Sequence, residues 1–473
     1  MKTLNRKLLT IIVLLSLFAA TACKVSKDTA VPDTGLPASY RAAGNSDTLS
    51  VAVMPWQEFF ADPELKSLIV DALARNFDLQ VAIKNIEAAE LTFRQAKLGN
   101  IPQLNLQATA AYSRPSDNSL DGLSLSQELN TKHVEDYNVA ASLSWEADIW
   151  GKIRSRKEAA LAAYLGTIEA RKAVQTKLVS DLSKGYYNLL TLDAQLAIAK
   201  KNVTLDDSTL NIISLEYTAG QVTSLAVQQA KAQKLNAQSL VPQFEQQIEI
   251  QENAISILAG RLPASIARKN QLELINNTQN LNAGLPSALL RRRPDVRQAE
   301  FALSEANAKV GYAKANMYPS LTITAQAGID AFKASNWFNI PASLFGSVVG
   351  SVAQPLFAQK KLNTLYQVAK ANRDITVIQF RESLLNAVGE VSDALITLDK
   401  LNEQQKLAAE RTKTLQEATH NSKLLFKNGQ ATYLEVITAQ GNVLQSELEL
   451  ANIKKAQLDA TVDLYRSLGG GWN

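Results

Sequence analysis

Three stretches of the chain alternate apolar and polar residues with a period of two. From Gln103, Leu104, Leu106, Ala108, Ala110 and Tyr112 fall on one face and Gln103, Asn105, Gln107 and Thr109 on the other. From Tyr137, Tyr137, Val139, Ala141, Leu143 and Trp145 oppose Asn138, Ala140, Ser142, Ser144 and Glu146. From Leu321, Leu321, Ile323, Ala325, Ala327 and Ile329 oppose Thr322, Thr324, Gln326, Gly328 and Asp330. Such alternation predicts strands with two unlike faces. A fourth strand, from about Phe345 to Leu356, alternates poorly and is expected by symmetry with the second. Elsewhere the period lengthens. Val377, Phe380, Leu384, Val388, Val391, Leu395 and Leu398 recur at steps of three or four, a mean of 3.5, which is a coiled-coil seam. Long helices without internal proline are expected from Lys152 to about Leu205 and from Gln359 to about Leu401. Forty to fifty residues at 1.5 Å each make rods of roughly 60 to 75 Å. A shorter helix opens at Asp62-Pro63-Glu64, a capping acid followed by proline at the first helical position, and runs to about Leu98; its counterpart runs from near Pro294 to before Pro319.

These parts come twice in one order. Ile101-Pro102-Gln103-Leu104 is echoed by Tyr318-Pro319-Ser320-Leu321 at an offset of 217, and Thr191-Leu192-Asp193 by Thr397-Leu398-Asp399 at 206. Tyr217-Thr218-Ala219-Gly220-Gln221 is echoed by Phe426-Lys427-Asn428-Gly429-Gln430 at 209. Offsets this close across the chain mean an internal duplication. The organisation expected is a signal peptide at 1–22, a tether at 23–55, and two repeats at 56–284 and 285–473.

The N-terminal segment has a basic start, an apolar run from Leu8 to about Ala20 and small residues before Cys23, the pattern of a secretory signal. Ala20-Thr21-Ala22-Cys23 resembles the bacterial lipobox, so Cys23 is the expected acylation site of an exported protein. Residues 24–50 are small, polar and punctuated by Pro and Gly, as a flexible tether would be. No other stretch is apolar for the length a spanning helix needs, so any crossing of a membrane falls to strands.

Charge and composition narrow the function. The chain of 473 residues has a formal charge of +4; without Lys2, Arg6 and Lys7 of the signal it is +1, too balanced to suggest nucleic-acid binding. One cysteine and two histidines, His133 and His420, exclude a disulfide framework and argue against a Cys/His metal site. No phosphate loop and no Gly-x-Ser-x-Gly elbow is found, so neither a catalytic residue nor a cofactor is expected.

Strands of about ten residues with aromatics near their ends (Tyr112, Tyr137, Trp145, Trp150, Tyr318) fit an outer-membrane barrel, apolar outside and small-polar inside. Four strands cannot close one, and open sheet edges are not tolerated in lipid. The chain must therefore share its barrel with copies of itself, and three copies give twelve strands and room for a pore. The fold class expected is α+β: an internally duplicated membrane protein whose trimeric twelve-strand β-barrel is continued by a long coiled-coil α-helical barrel.

Several motifs carry a resemblance to a known family. They are Trp56, Phe59, Asp62-Pro63 and Leu65; the run from Leu285 to Glu300, LPSALLRRRPDVRQAE; Gly311-Tyr312-Ala313-Lys314-Ala315 before Tyr318-Pro319; Ala353-Gln354-Pro355-Leu356-Phe357; Asn428-Gly429-Gln430 before Thr432-Tyr433-Leu434; and Leu468-Gly469-Gly470-Gly471-Trp472. Over about residue 56 to the end, the chain resembles the TolC-like outer-membrane efflux factors, in particular their OprM-, CusC- and NodT-like lipoprotein branch. It departs from them at the lipobox, where Ala20 stands in place of the commoner Leu, and at Ala358-Gln359-Lys360, where relatives often carry a glycine. The resemblance implies a homotrimer in outer-membrane lipid, with a periplasmic adaptor and an inner-membrane pump of the resistance-nodulation-division (RND) class as partners. The implied function is a passive exit duct for drugs, toxic small molecules or metal ions. A duct for a type I protein exporter and a non-pore coiled-coil surface lipoprotein are the alternatives.

A duct needs a gate, and the family's tunnel tapers at a periplasmic tip ringed by carboxylates, a constriction that attracts cations. The family's tip motif resembles Glu390-Val391-Ser392-Asp393-Ala394-Leu395, which carries the gate role to Asp393, with Glu390 and Asp399 as further candidates. The plain reading of Asp393 is a solvated helix face, and that of Asp193 and Asp399 a turn or cap where paired helices meet. Arg291-Arg292-Arg293 is expected as a solvated helix start, and Trp337-Phe338 as part of a headgroup belt. With Met54 and Met317 alone left after the signal, no Met-rich copper relay is expected.

Overall fold

The computed structural model describes residues 35–37, 39–41, 50–275 and 282–473. Cys23, the signal segment and much of the tether lie outside the described residues. In chain order the main elements are α1 (Pro63–Arg75), α2 (Phe77–Lys97), β1 (Gln103–Ser113), α3 (Leu120–Glu128), β2 (Val134–Ala147), α4 (Lys152–Thr218) and α5 (Ser224–Leu258). The second copy follows with α6 (Pro294–Ala315), β3 (Ser320–Ala331), β4 (Leu344–Ala353), α7 (Lys361–Lys427) and α8 (Tyr433–Ser467). The duplication is metrical: α4 and α7 each have 67 residues, and α5 and α8 each have 35. The chain divides into two compact units, one holding residues 88–165 and 301–378, the other 33–87, 166–300 and 379–473.

The first unit is built on a four-stranded antiparallel sheet in the order β1-β2-β3-β4. Its register keeps like faces together. Leu104 lies opposite Leu143, Leu143 opposite Ala325, and Ala325 opposite Val348. A one-residue slip would turn a strand's apolar set to the wrong face, so this alignment is strongly specified. β4 stops at Ala353, paired with the first residue of β3, rather than running to Leu356; Pro355 has no N–H to offer a ladder. Helix α3, between β1 and β2, was not foreseen.

The second unit holds the main core. Leu65, Ile69, Leu182, Tyr186, Leu189, Leu190, Ile255, Phe380, Leu384, Val391, Leu464 and Tyr465 are all almost fully buried, so the seam read in α7 is the face turned inward. Asp62 caps α1, accepting from the N–H groups of Glu64 and Leu65 at 2.9 and 3.3 Å. Its other oxygen accepts from the Tyr186 hydroxyl at 3.0 Å and the Asn270 amide at 2.8 Å, so a helix start also ties two distant segments together. Phe59 stacks on Tyr465 at 3.9 Å, and the Tyr465 hydroxyl donates to the Met54 carbonyl at 2.6 Å.

Three helix boundaries differ from expectation. The helix expected from 63 to about 98 is broken at Asn76, whose side chain accepts from the Leu79 N–H at 3.0 Å and donates to the Leu258 carbonyl at 2.9 Å. A buried asparagine that caps a new helix wins over continuous propensity. The long helices run on to Thr218 and Lys427, ending two residues short of Gly220 and Gly429, each with positive φ.

Candidate functional site

The sheet of the first unit presents two chemically distinct walls. Cross-strand partners put Asn105, Gln107, Ser142, Ser144, Thr324 and Gln326 on one wall. The other carries Leu104, Leu106, Val348 and Val352, which stand open, with half-buried Leu143 between them; Leu106 and Val348 are 78% and 77% exposed. At the end where β1 begins, the Trp145 indole donates to the Asn100 carbonyl at 2.9 Å and the Trp150 indole to the Pro319 carbonyl at 2.7 Å, with Tyr318 stacked on Trp150. At the other end Tyr137, Trp337 and Phe338 pack as neighbours, with ring centroids 5.2 to 5.3 Å apart. Aromatic rings with one polar handle gather at both ends of an exposed apolar band, as they do at the two faces of a bilayer. Among the described residues, the outer edges of β1 and β4 have no strand partner.

The second unit holds the acids proposed for a gate. Glu390 accepts from buried Arg293 at 2.8 Å and lies 3.6 Å from Arg466. Arg293 also forks onto Asp295 at 2.5 and 3.0 Å and donates to the Ser467 carbonyl at 3.2 Å. Asp463, bonded to Lys184 and 3.9 Å from Arg466, extends the network. Arg293 is thus no solvated helix start. It is 5% exposed and bolts the run that precedes α6 onto α7 and α8. Asp393 is exposed, and Asp399 pairs with adjacent Lys400 at 3.1 Å. All three acids lie inside α7, and from Asp393 the helix continues for roughly 34 residues, about 50 Å, to Lys427. Asp393 therefore stands in mid-helix, far from the helix end. Asp193 and Asp399 are not turn or cap residues either. Asp193 lies within α4 and holds Arg268 at 2.5 and 3.0 Å, with Glu252 on the other side of the guanidinium at 2.5 Å.

A family model described as outer membrane efflux protein matches residues 68–261 and 285–470. The chain belongs to that family. Its members are channel and transport proteins. This outer-membrane efflux protein is 30% identical over 436 residues to the solvent efflux pump outer membrane protein SrpC of Pseudomonas putida, across 92% of this chain and 91% of that one. It is 27% identical over 462 residues to the cation efflux system protein CusC of Escherichia coli K12, across 96% and 97% of the two chains. A solved membrane protein from Pseudomonas aeruginosa superposes with a TM-score of 0.86 at 27% identity, covering 94% of this chain and all of that one.

One feature of the efflux protein's helices escapes a reading of the sequence for apolar periods. In α4 the buried positions Leu192, Gln195, Ala199, Asn202, Asp206, Thr209 and Ile213 recur at steps of three and four, so a seam begun by apolar residues turns polar as it runs toward the Gly220 turn. Gln440 of α8 donates to Thr209 at 2.9 Å. Glu447 of α8 accepts from Gln416 of α7 at 2.8 Å and from Lys201 at 3.1 Å. Asp206 is 2% exposed, and among the described residues neither of its carboxylate oxygens has a hydrogen-bond partner. Burial pushes its pKa up to about 6, against the opposing pull of Lys423. The signal was present as a heptad step with polar residues in it, but a search restricted to apolar positions passes over it. No helix among the described residues is long and apolar enough to cross a membrane.

Proposed function

We propose that three copies of the chain close a twelve-stranded barrel in the outer membrane and serve as the exit duct of a tripartite efflux system. The single observation that carries this reading is the four-stranded sheet with an apolar open face, a polar opposite face and two free edges. Strands of 10 to 14 residues have the length of tilted membrane strands. Closure by copies satisfies the edges, which lipid cannot. The partners are a periplasmic adaptor and an RND-type inner-membrane pump. The cargo comprises drugs, toxic small molecules or metal ions; the names of the relatives give solvents, toluene and cations. The duct is passive, and no residue is assigned a chemical step. Residues 1–22 act as the signal, Cys23 carries the lipid, and 56–284 and 285–473 are the two repeats. Asp393 rings the duct at its waist.

The test is the mass of the detergent-purified protein together with its currents in a planar bilayer. A trimer with small, cation-selective, mostly closed currents is expected. A monomer without currents would overturn the reading and leave a coiled-coil surface lipoprotein.

A further inference from the structure

The segment that follows β4 exposes its largest side chains. Phe357 is 99% exposed and Leu356 82%, although both lie beside the aromatic end of the sheet, where Trp150 and Tyr318 are stacked. The segment is held in place at both ends. Gln354 donates to the Met317 carbonyl at 3.0 Å, and Gln359 and Lys360 adopt φ of 51° and 61°, left-handed values that turn the chain sharply into α7. Together they wall an open groove of about 560 Å³ whose lining includes Met317, Leu356, Phe357 and Leu362. On the other edge of the sheet, the residues that lead into β1 are as bare: Leu98 and Ile101 are each 58% exposed.

Strand order decides what meets this groove. β1 and β4 are the two free edges and run in opposite directions, so β4 of one copy pairs antiparallel with β1 of the next. The end of β4 then comes level with the start of β1. Within one sheet the level of Gln103 passes through Ser144 and Thr324 to Val349, so β4 and its following segment reach past the start of β1. We infer that Leu356 and Phe357 form a latch that receives Leu98 and Ile101 of an adjoining copy, sealing the joint between subunits where the barrel ends. This rests on the trimeric barrel proposed above. It adds a contact made by side chains rather than by strand hydrogen bonds, and it assigns a partner to the most exposed aromatic residue among the described residues.

Disulfide trapping separates the latch from the barrel. Phe357→Cys is combined in turn with Leu98→Cys and Ile101→Cys in the full-length protein, and outer membranes are oxidised with copper phenanthroline before non-reducing electrophoresis. Asn105→Cys combined in turn with Ser347→Cys, Val349→Cys and Ser351→Cys scans the strand-edge registers in parallel. A ladder of dimer and trimer from at least one latch pair, absent from each single variant, supports the latch. A ladder from a strand-edge pair but from neither latch pair refutes the latch while leaving the barrel standing. No ladder from any pair, with folded protein present, removes both.

Discussion

Asp206 offers the sharpest test of how the helical part is built. Its side chain is 2% exposed in the seam of α4, without a hydrogen-bond partner on either oxygen among the described residues. The charged groups reaching toward this layer are Lys423 from α7, whose own pKa burial lowers, and Glu447 from α8, which Asn202, Gln416 and Lys201 already engage. A pKa raised from 3.8 to about 6 means that the folded state holds the proton more tightly than the unfolded one. The stabilisation is complete below pH 3.8 and is lost as pH rises to about 6. Above that the ionised carboxylate costs about 3 kcal/mol, since each tenfold change in proton affinity is worth about 1.4 kcal/mol. Asp206→Asn keeps the shape and removes the charge. Thermal unfolding of both proteins in one detergent from pH 4 to pH 8 should show nearly equal stability at pH 4. The variant should gain as pH rises through 6, by up to about 3 kcal/mol. Taking the difference between the two cancels every other acid. A gap that is the same at pH 4 and pH 8, or a variant less stable at pH 8, would refute the reasoning.

Other perturbations follow from the same geometry. Arg293→Ala removes the buried cation that half-exposed Asp295 and Glu390 share and the donor to the Ser467 carbonyl, and should destabilise the protein by about 1.5–3 kcal/mol, read as a lower melting temperature and a poor yield of assembled protein. Lys360→Gly relieves a left-handed φ of 61° and should raise stability by about 0.5–1 kcal/mol, measured as a higher melting temperature; a loss would show that the lysine side chain is needed there. Asp393→Ala should raise single-channel conductance or weaken block by divalent cations, and unchanged currents would return Asp393 to an ordinary exposed charge. Gly260→Ala would push a Cβ to 2.3 Å from the Arg75 carbonyl oxygen at a φ of 67°, so folded protein should be largely lost, as membrane yield would show.

The strands and the α7 seam were legible because each repeats a simple period against one dry face. Leu104, Leu143, Ala325 and Val348 need only alternate, and the register then aligns them. What stayed hidden depends on partners far along the chain. Arg293 sits in a run of three arginines that reads as solvated, and only α7 and α8 bury it. Asn76 is unremarkable until the Leu258 carbonyl reaches its amide, 182 residues away. Asp206 breaks the apolar rule of the seam while keeping its spacing, so hydrophobicity conceals what spacing alone would reveal. The departure at Ala358-Gln359-Lys360 was visible in the chain, but its meaning came from the backbone: two of the three residues occupy the conformation for which glycine is best suited.

The two repeats have drifted apart in length only where length is cheap. From the first strand to the long helix the second copy is eight residues shorter, yet through both helices of each hairpin the spacing stays at 209. One residue added to a rod would move everything beyond it by 1.5 Å and turn it by about 100°. In a threefold assembly the six hairpins would then no longer reach to one height, and whatever meets their ends would find an uneven rim. Equal rods thus act as a gauge. Insertions can accumulate in the loops of this chain, but between Lys152 and Leu258, and between Lys361 and Ser467, its length is not free to change.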